Sequence, residues 1–340
     1  MAETSTGRPG TLRIQQLGNA YKQAGTLWAA IELDVFTKVA GGATTLADIA
    51  QETGLAAGAA DKLVTACTAL GLLEKEGERY RNAPDVDRYL VKGKPGYIGV
   101  WVLFARHAAD RWQDLAAVLR GDKEPASRSW YDEAWADFAF AKQLSGATHN
   151  AGLASGRRLA KVFDYSRRSL ILDLGGGSGC YCIAAAQAHP HIRGIVFDYP
   201  TICRVAAGYI AEAGLSERIT TQAGDLIKDD YPAGADVALL CSNLPNFSRQ
   251  ELALIARKAF TALVPGGVLH VIGEAVNDAR TGPLEPALWY LEEVVVGNRS
   301  SELHTVAGVR DTLAGAGFVD LGDGEFVPGV LQRITGVKPK

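Results

Sequence analysis

The spacing of apolar residues changes near the middle of the chain. Up to about residue 165 they recur every three or four positions, which is the period of a helix buried on one face. From Ser169 onward, short apolar runs of strand length alternate with helical stretches. The pattern predicts a helical N-terminal part followed by an α/β domain.

Three helices and a hairpin are predicted in the N-terminal part. Residues 17 to 40 place their apolar side chains on one face of a single amphipathic helix. Thr45 caps a second helix that ends at Gly54, and a third runs from Ala59 to Leu70. The next segment, LLEKEGERYRNAP, alternates apolar and charged residues around a glycine, as hairpins do. Together these elements predict a winged helix within residues 12 to 110.

A winged helix commonly binds DNA, but the charges here argue against that function. The third helix, AAGAADKLVTACTALG, has only one basic residue, Lys62, and the hairpin carries Glu74, Glu76 and Glu78. The chain has a formal net charge of -3 and an isoelectric point near 6.1, so it has no excess of basic residues for phosphates. We therefore expect this domain to associate with a second copy of the chain. A non-catalytic, DNA-binding regulator is the alternative.

Residues 111 to 165 are predicted to be a helical linker that lines a substrate pocket. They are rich in aromatic residues, which at helical spacing are individually most often core. As a group they are numerous enough that some are expected to line a pocket for a small molecule. The aromatic candidates are Trp130, Tyr131, Trp135 and Phe140.

Residues 166 to 340 contain four apolar runs with the length and composition of buried parallel strands. These runs are SLILDL, RGIVFD, ADVALLC and GGVLHVIGE. Helices are predicted between them at residues 179–188, 203–213 and 249–263. Such alternation of strands and helices predicts a doubly wound α/β domain.

The segment LILDLGGGSGCYC, residues 170 to 182, is a strand that runs into a glycine turn and a helix. Glycine allows the backbone to approach a ligand closely, and the helix N-terminus offers free N–H donors. A dinucleotide site would need a third glycine where Cys180 stands. Asp173 could receive an ammonium group, which S-adenosylmethionine (SAM) has and NAD lacks. The segment therefore favours SAM.

Two further carboxylates follow at suitable spacing. Asp198 closes the second strand about twenty residues after the turn, from where a carboxylate reaches ribose hydroxyls. Asp225 follows the third strand and could accept from the adenine amino group; a purely turn-forming role is the alternative. The predicted SAM contacts are Asp173, Gly175, Gly177, Gly179, Asp198, Tyr199, Gly224, Asp225, Leu226, Cys241 and Ser242.

From about residue 12 to 335, the chain resembles the plant-type and bacterial O-methyltransferases, which are class I SAM-dependent enzymes. The matching motifs are DLGGGSG (173–179), FDYP (197–200), AGD (223–225), ALVPGGVLHVIGE (262–274) and GAGF (315–318). The resemblance implies a winged-helix dimerisation domain followed by a Rossmann-like, seven-stranded domain. It also implies SAM as methyl donor and a homodimer formed through the N-terminal domain.

The chain departs from this family after the fourth strand. There the family carries Leu-His-Asp-Trp, whose histidine deprotonates a phenolic hydroxyl and is oriented by glutamates. The chain has LPNF instead, with Pro245 at the histidine, Asn246 at the aspartate and Phe247 at the tryptophan. Glu274 retains one glutamate, whereas Ser300 or Leu303, depending on the alignment, replaces the other.

Proline has no side-chain donor, acceptor or base, so a methyl acceptor either loses its proton elsewhere or has none. Another base is one possibility, and His149, His304 and Cys241 are the candidates; an enol or enolate carbon is a second. A thioether sulfur needs only positioning. This predicts S-methylation of a small thioether acid, such as the 4-methylthio-2-hydroxybutyrate step toward dimethylsulfoniopropionate. O- or C-methylation of a phenolic, enolic or keto-acid natural-product intermediate is the alternative.

The candidate catalytic residues are therefore His149, Asn246 and Glu274. A substrate with a carboxylate and a hydroxyl also needs cationic or donor side chains around it. The candidate substrate residues are Arg106, His107, Trp130, Tyr131, Phe140, Gln143, His149, Asn246 and Arg299.

The remaining expectations concern location and partners. The five cysteines are odd in number and lack paired spacing, so we expect buried, reduced thiols. No apolar signal segment and no run of eighteen apolar residues is found. We expect a cytoplasmic protein that acts on a small molecule, without metal, nucleic acid or membrane partners.

Overall fold

The structure, a computed structural model, describes residues 10–125, 136–298 and 300–340, and only the backbone of His107. The chain forms two compact units, Met1–Arg106 and His107–Lys340. Within the described residues, no helix is both long enough and apolar enough to cross a membrane. The five cysteines are all buried and unpaired.

In the first unit, helices surround one antiparallel hairpin. The helices are α1 (Leu12–Gly18), α2 (Ala20–Glu32), α3 (Val35–Ala40), α4 (Leu46–Thr53), α5 (Ala57–Ala69), α6 (Pro84–Tyr89) and α7 (Gly99–Ala105), and the hairpin pairs β1 (Leu73–Glu76) with β2 (Arg79–Asn82). The predicted second helix, third helix and hairpin are thus confirmed. Thr45 begins α4 in a capping box, where its Oγ1 accepts from the Asp48 N–H at 3.1 Å.

The single helix predicted over residues 17 to 40 is wrong. Asp34 has a φ of 60°, in the left-handed region, and an α-helix cannot continue through that conformation. Residues 17 to 40 are therefore divided among the end of α1, α2 and α3. The bend brings Ile31 and Phe36 into one buried cluster, whereas Leu17 and Tyr21 are 65% and 67% exposed. Periodicity alone missed the break because apolar spacing continues across it.

The second unit is built on a seven-stranded sheet. Its strands are β3 (Leu170–Leu174), β4 (Arg193–Asp198), β5 (Ile219–Ala223), β6 (Ala235–Cys241), β7 (Leu263–Gly273), β8 (Val319–Val327) and β9 (Leu331–Val337). Its helices include α8 (Leu115–Arg120), α9 (Phe138–Val162), α10 (Cys180–Ala188), α11 (Pro200–Glu212), α12 (Arg249–Ala262), α13 (Leu284–Val295) and α14 (Val306–Gly315). Short 3-10 turns occur at Arg106–Ala108, Arg111–Asp114 and Leu244–Asn246.

The strand order is β5-β4-β3-β6-β7-β9-β8. Strands β3 to β7 are parallel, and β9 and β8 continue the sheet in antiparallel pairing. The predicted fold class is confirmed: a helical winged-helix domain precedes a Rossmann-like, seven-stranded α/β domain. The four predicted strands are β3, β4, β6 and β7. The edge strands β5 and β8 have partly exposed side chains, so neither produces a continuous apolar run.

Both faces of the sheet are buried. Leu172 and Leu240 belong to an apolar cluster on one face, and the alternate residues Ile171 and Leu239 belong to a cluster on the other. Strands covered on both sides carry apolar residues at every position, which explains the apolar runs in the sequence.

Helix α9 packs on the sheet domain at close range. A Cβ on Gly156 would lie 2.8 Å from the Cβ of Ala184, and one on Gly152 would lie 2.4 Å from the Sγ of Cys180, so glycine is needed where α9 meets α10. α9 also contacts α11. By these contacts α9 belongs to the second unit. The division into residues 12–110, a linker at 111–165 and a SAM domain at 166–340 stays an interpretation.

Candidate active site

The strand order reverses between β3 and β6. From β3 the chain proceeds outward to β4 and β5, then returns to β6 on the other side of β3 and continues to β7. In parallel α/β sheets, ligands bind outside the carboxyl ends of the strands at such a point. The predicted SAM contacts all lie near the carboxyl ends of β3, β4, β5 and β6.

The carboxyl group of Asp173 is buried beneath the glycine turn. It is 1% exposed, and neither oxygen has a hydrogen-bond partner. A Cβ on Gly176 would lie 2.7 Å from its Cγ, so the turn closes directly over it. Burial, and then the charge of Asp198, raise its pKa to about 7. An unpaired carboxyl in such a place is costly unless a ligand supplies a donor.

Asp198 joins the end of β4 to the glycine turn. Its Oδ2 accepts from the N–H of Gly177 at 2.9 Å, and its Oδ1 accepts from the N–H of Tyr199 at 2.7 Å. Burial raises its pKa to about 6. Each oxygen still has capacity for a second donor, such as a hydroxyl group.

Asp225 stabilises its own turn after β5. Its Oδ1 accepts from the N–H groups of Ile227 and Lys228 at 2.8 and 3.2 Å, and its Oδ2 pairs with the Lys228 Nζ at 2.9 Å. The preceding Gly224 is required because a Cβ there would lie 2.2 Å from the Cζ of Phe197. Asp225 therefore has the turn-forming role that was the alternative to a cofactor contact. A contact from Asp225 to adenine stays a prediction.

Asn243, which the sequence did not single out, lies against the glycine turn. Its Nδ2 is 2.5 Å from where a Cβ on Gly175 would stand, and the Cδ1 of Leu226 is 3.3 Å from the same point. Its Oδ1 is buried without a partner. Asn243 follows Cys241, the buried end of β6, and Ser242, whose φ is 55°. Its place just after the strand at the reversal was a signal that could have identified it.

The segment LPNF contains the 3-10 turn Leu244–Asn246 that follows β6. The Nε2 of His304 donates to the carbonyl oxygen of Phe247 at 2.9 Å, and the Oγ of Ser300 donates to that of Asn246 at 3.2 Å. The end of β7 packs on the same turn, since a Cβ on Gly273 would lie 2.7 Å from a leucine Cβ of the turn. Burial lowers the pKa of His304, which weakens it as a candidate base.

Two buried glutamates lie beside this turn. Glu274, directly after β7, is 9% exposed, and its Oε2 has no partner. Glu293, on α13, is 2% exposed, and its Oε2 accepts from the Nδ2 of Asn298 at 2.7 Å. Burial, together with the charge of Glu293, raises the pKa of Glu274 to about 7; burial also raises that of Glu293 to about 7. The Oδ1 of Asn246 is likewise buried and unpaired.

Glu293 is a second residue that sequence reasoning missed. In the alignment with the family, Ser300 or Leu303 replaces the second glutamate, yet the structure brings a second acid beside Glu274 from α13. Pro286, Tyr290 and Glu293 share the buried stripe of that helix at helical spacing. A carboxylate on a buried stripe is unusual, and this was the readable signal.

His149 contacts the glycine turn that follows β3, whereas the LPNF segment follows β6. Its Nδ1 is 2.8 Å from the Oγ of Ser178, and its ring stacks on Tyr209 with 4.0 Å between centroids. Burial lowers its pKa, so the neutral imidazole is favoured. The structure thus groups His149 with the cofactor turn, whereas Asn246 and Glu274 follow β6 and β7.

The structure does not bring the other predicted substrate residues together in one group among the residues it describes. Arg106 pairs with Glu32 within the first unit. Gln143 is exposed on α9, and Phe140 packs against a small cluster that includes Ile202. Outside the described residues lie Trp130, Tyr131, Trp135 and Arg299, as does the side chain of His107.

Comparison with known proteins agrees with this geometry. A profile of O-methyltransferase domains matches residues 112–319, and a profile of O-methyltransferase dimerisation domains matches residues 15–92. The chain belongs to the O-methyltransferase family.

Relatives of this methyltransferase use different acceptor atoms. It is 34% identical to 3-hydroxy-5-methyl-1-naphthoate 3-O-methyltransferase of Streptomyces sahachiroi, over 92% of this chain and 91% of the relative. It is 30% identical to the N,N-dimethyltransferase OxyT of Streptomyces rimosus, over 90% of each chain. Its fold matches the crystal structure of human N-acetylserotonin methyltransferase in complex with SAM over the whole of both chains, with a TM-score of 0.85 and 24% identity.

SAM, the cofactor of this methyltransferase, fits the groups at the carboxyl edge of the sheet. The unpaired oxygens of Asp173 suit an ammonium group, and Asp198 has acceptor capacity for ribose hydroxyls. The turn around Gly175 has no side chain to block a close approach. SAM supplies a methyl group on a sulfonium, and the protein binds it and orients the nucleophile.

Proposed function

We propose that this protein transfers the methyl group of SAM to a nucleophile that carries a proton, most simply the hydroxyl of a phenolic or enolic natural-product intermediate. The observation that carries the proposal is the Oε2 of Glu274, which is buried and unpaired beside the turn containing Pro245. A buried carboxyl group therefore follows the strand that packs on the turn in which Pro245 replaces the family's histidine. The oxygen and nitrogen acceptors in the relatives' names support the same class of acceptor.

The thioether reaction has less support. It follows from the loss of the family's histidine at position 245, and the buried, unpaired carboxyl oxygen of Glu274 supports a reaction in which the acceptor loses a proton. Aromatic faces would stabilise a sulfonium product, but three of the four aromatic candidates, Trp130, Tyr131 and Trp135, lie outside the described residues. Transfer to an enol carbon is compatible with the same site, because that acceptor also loses a proton.

We also propose that the protein acts as a homodimer through its first unit. On α1 and α2, Leu12, Ile14, Leu17 and Tyr21 are between 63% and 68% exposed, and the dimerisation profile begins within this stretch. Apolar side chains exposed in a row mark an interface.

Methyl transfer from radiolabelled SAM to a matched panel of acceptors tests the reaction. The panel contains 3-hydroxy-5-methyl-1-naphthoate, its 3-methoxy analogue, an aromatic amine and 4-methylthio-2-hydroxybutyrate. We expect transfer to the naphthol and none to the methoxy analogue, whose oxygen carries no proton. Transfer to the thioether acid alone would contradict the proposal, and calorimetric SAM binding serves as the control for an intact cofactor site.

A further inference from the structure

Glu274 and Glu293 form a buried acid pair at the carboxyl edge of the sheet. Glu274 directly follows β7 and Glu293 lies on α13, and both elements contact the turn Leu244–Asn246. Burial, and to a smaller extent the charges of Glu274 and Glu293, raise the pKa of Tyr290, whose buried hydroxyl also has no hydrogen-bond partner. The pair, Tyr290 and Asn246 thus belong to segments that pack together at the turn containing Pro245, the position of the family's histidine.

The two glutamates are not equivalent. The Oε2 of Glu293 is held by Asn298 at 2.7 Å, and the N–H of Asn298 also donates to the backbone oxygen of Glu293 at 2.9 Å. The Oε2 of Glu274 has no partner. Only Glu274 therefore has a buried oxygen free to accept a proton from a ligand.

The described groups that face the pair are neutral or acidic. They are Tyr290 and Glu292 on α13, Cys241 at the end of β6, and His304, whose ring lies 6.3 Å from that of Tyr290. Burial raises the pKa of Cys241 and Tyr290 and lowers that of His304, so these three are uncharged near neutral pH. Burial also raises the pKa of Glu292.

The nearby cations among the described residues form no ion pair with Glu274 or Glu293. Arg249 pairs with Glu302 at 3.7 Å, and Arg111, on the 3-10 turn that packs against α13, forms no ion pair with either glutamate. Among the described residues, no cation therefore forms an ion pair with either glutamate, and hydrogen bonds such as the one from Asn298 offset only part of the effect of burial on the pKa of the pair. Burial thus raises the pKa of both glutamates toward the ordinary value of an imidazole, about 6.5.

We propose that Glu274 is the catalytic base of this methyltransferase, in place of the family's histidine, and that Glu293 is a positioning residue whose negative charge sustains the proton affinity of Glu274. The proposal rests on the proposed function, because it requires an acceptor that loses a proton.

The reaction balances with this base alone. The hydroxyl proton of the acceptor moves to the Oε2 of Glu274 while the oxygen lone pair forms the O–CH₃ bond. The bond between the methyl carbon and the sulfonium sulfur breaks, and its electron pair stays on sulfur to give S-adenosylhomocysteine. Glu274 then releases the proton to solvent when the products leave.

An infrared pH titration tests the acid pair without any acceptor. The C=O stretch of protonated carboxyl groups is followed from pH 5 to 9 in the wild type, Glu274→Gln, Glu293→Gln and Glu285→Gln, an exposed glutamate on the same helix. We expect Glu274→Gln to remove one carboxyl group that titrates near neutral pH. Glu293→Gln should move the Glu274 titration to lower pH, and Glu285→Gln should change neither. If Glu274→Gln removes no such group, the proposal is overturned.

Kinetics on the acceptor that the wild type methylates provide the second test. Removing a general base lowers kcat by about 10² to 10⁴. We expect that loss for Glu274→Gln with the Kd for SAM unchanged, which also shows that the variant is folded. Glu293→Gln should retain more activity and shift the acid limb of the kcat profile to lower pH. A normal kcat in Glu274→Gln would overturn the assignment of Glu274 as the catalytic base, whereas the proposed methyl transfer would still stand.

Discussion

Replacing Asp173 by asparagine should stabilise the ligand-free protein above pH 7 and weaken its affinity for SAM. The two side chains have nearly the same shape, so the change removes a charge and leaves the packing. Asp173 is 1% exposed and has no hydrogen-bond partner, and its pKa is raised by burial first and by Asp198 second.

Proton linkage gives the direction in which the stability of the wild type changes with pH. The pKa rises from 3.8 to about 7, so the folded state holds the proton more tightly than the unfolded state. The contribution to stability is therefore complete at acid pH, below the unfolded value, and is lost as the pH rises through the folded value. At about 1.4 kcal/mol per unit the whole shift is worth about 4 kcal/mol, of which roughly 3 kcal/mol falls between pH 5 and 8.

Chemical unfolding of the wild type and Asp173→Asn at several pH values from 5 to 8 measures this difference. The buried amide costs about 1 to 3 kcal/mol at every pH, so the pH dependence of the difference isolates the ionisation. Asp225→Asn is the matched control. Burial opposes ionisation of Asp225, but hydrogen bonds from Lys228 and the turn lower its pKa overall. Its contribution to stability is therefore lost as the pH falls, which is the opposite sign.

Calorimetry on Asp173→Asn measures the cost to SAM binding. Loss of a hydrogen bond to a charged group, worth about 1.5 to 3 kcal/mol, should raise the Kd for SAM by about tenfold to a hundredfold. A stability difference that is the same at pH 5 and pH 8 would refute the raised pKa. An unchanged Kd would refute the contact with the ammonium group.

Four other variants test separate parts of the structure. Gly156→Ala should lower the free energy of unfolding by about 1 to 3 kcal/mol, because its methyl group would lie 2.8 Å from the next helix. Gly208→Ala, whose methyl group would enter open space, should raise it by up to about 1 kcal/mol. Thermal unfolding compares the two variants. His149→Ala should weaken SAM binding and leave the pH profile of kcat unchanged. A shifted pH profile would instead indicate that His149 is the catalytic base. Replacing Leu12 and Leu17 together by serine should give monomers in sedimentation, and persistent dimers would place the interface elsewhere.

Much of the cofactor side was predictable from sequence because its parts are close along the chain. One segment supplies β3, the glycine turn and the start of α10, and Asp198 closes the next strand. Parallel strands place their carboxyl ends at one edge, so the order of elements already brings these groups together. The break at Asp34 was not predictable in this way, because it depends on a backbone conformation that leaves the apolar spacing intact.

The sequence by itself determined the two-part architecture, the buried strands and the absence of the family's histidine, since each depends on local periodicity or on a short motif. Only the tertiary structure brought a second buried acid, Glu293, close to the glutamate that the sequence had already singled out, Glu274. Glu274 follows β7 and Glu293 lies on α13, so no local pattern in the sequence joins them. Asn243 and Gly175 are likewise joined only by the pairing of β3 with β6. Contacts made by strand order, together with burial that raises a carboxyl's pKa, arise only in the folded chain.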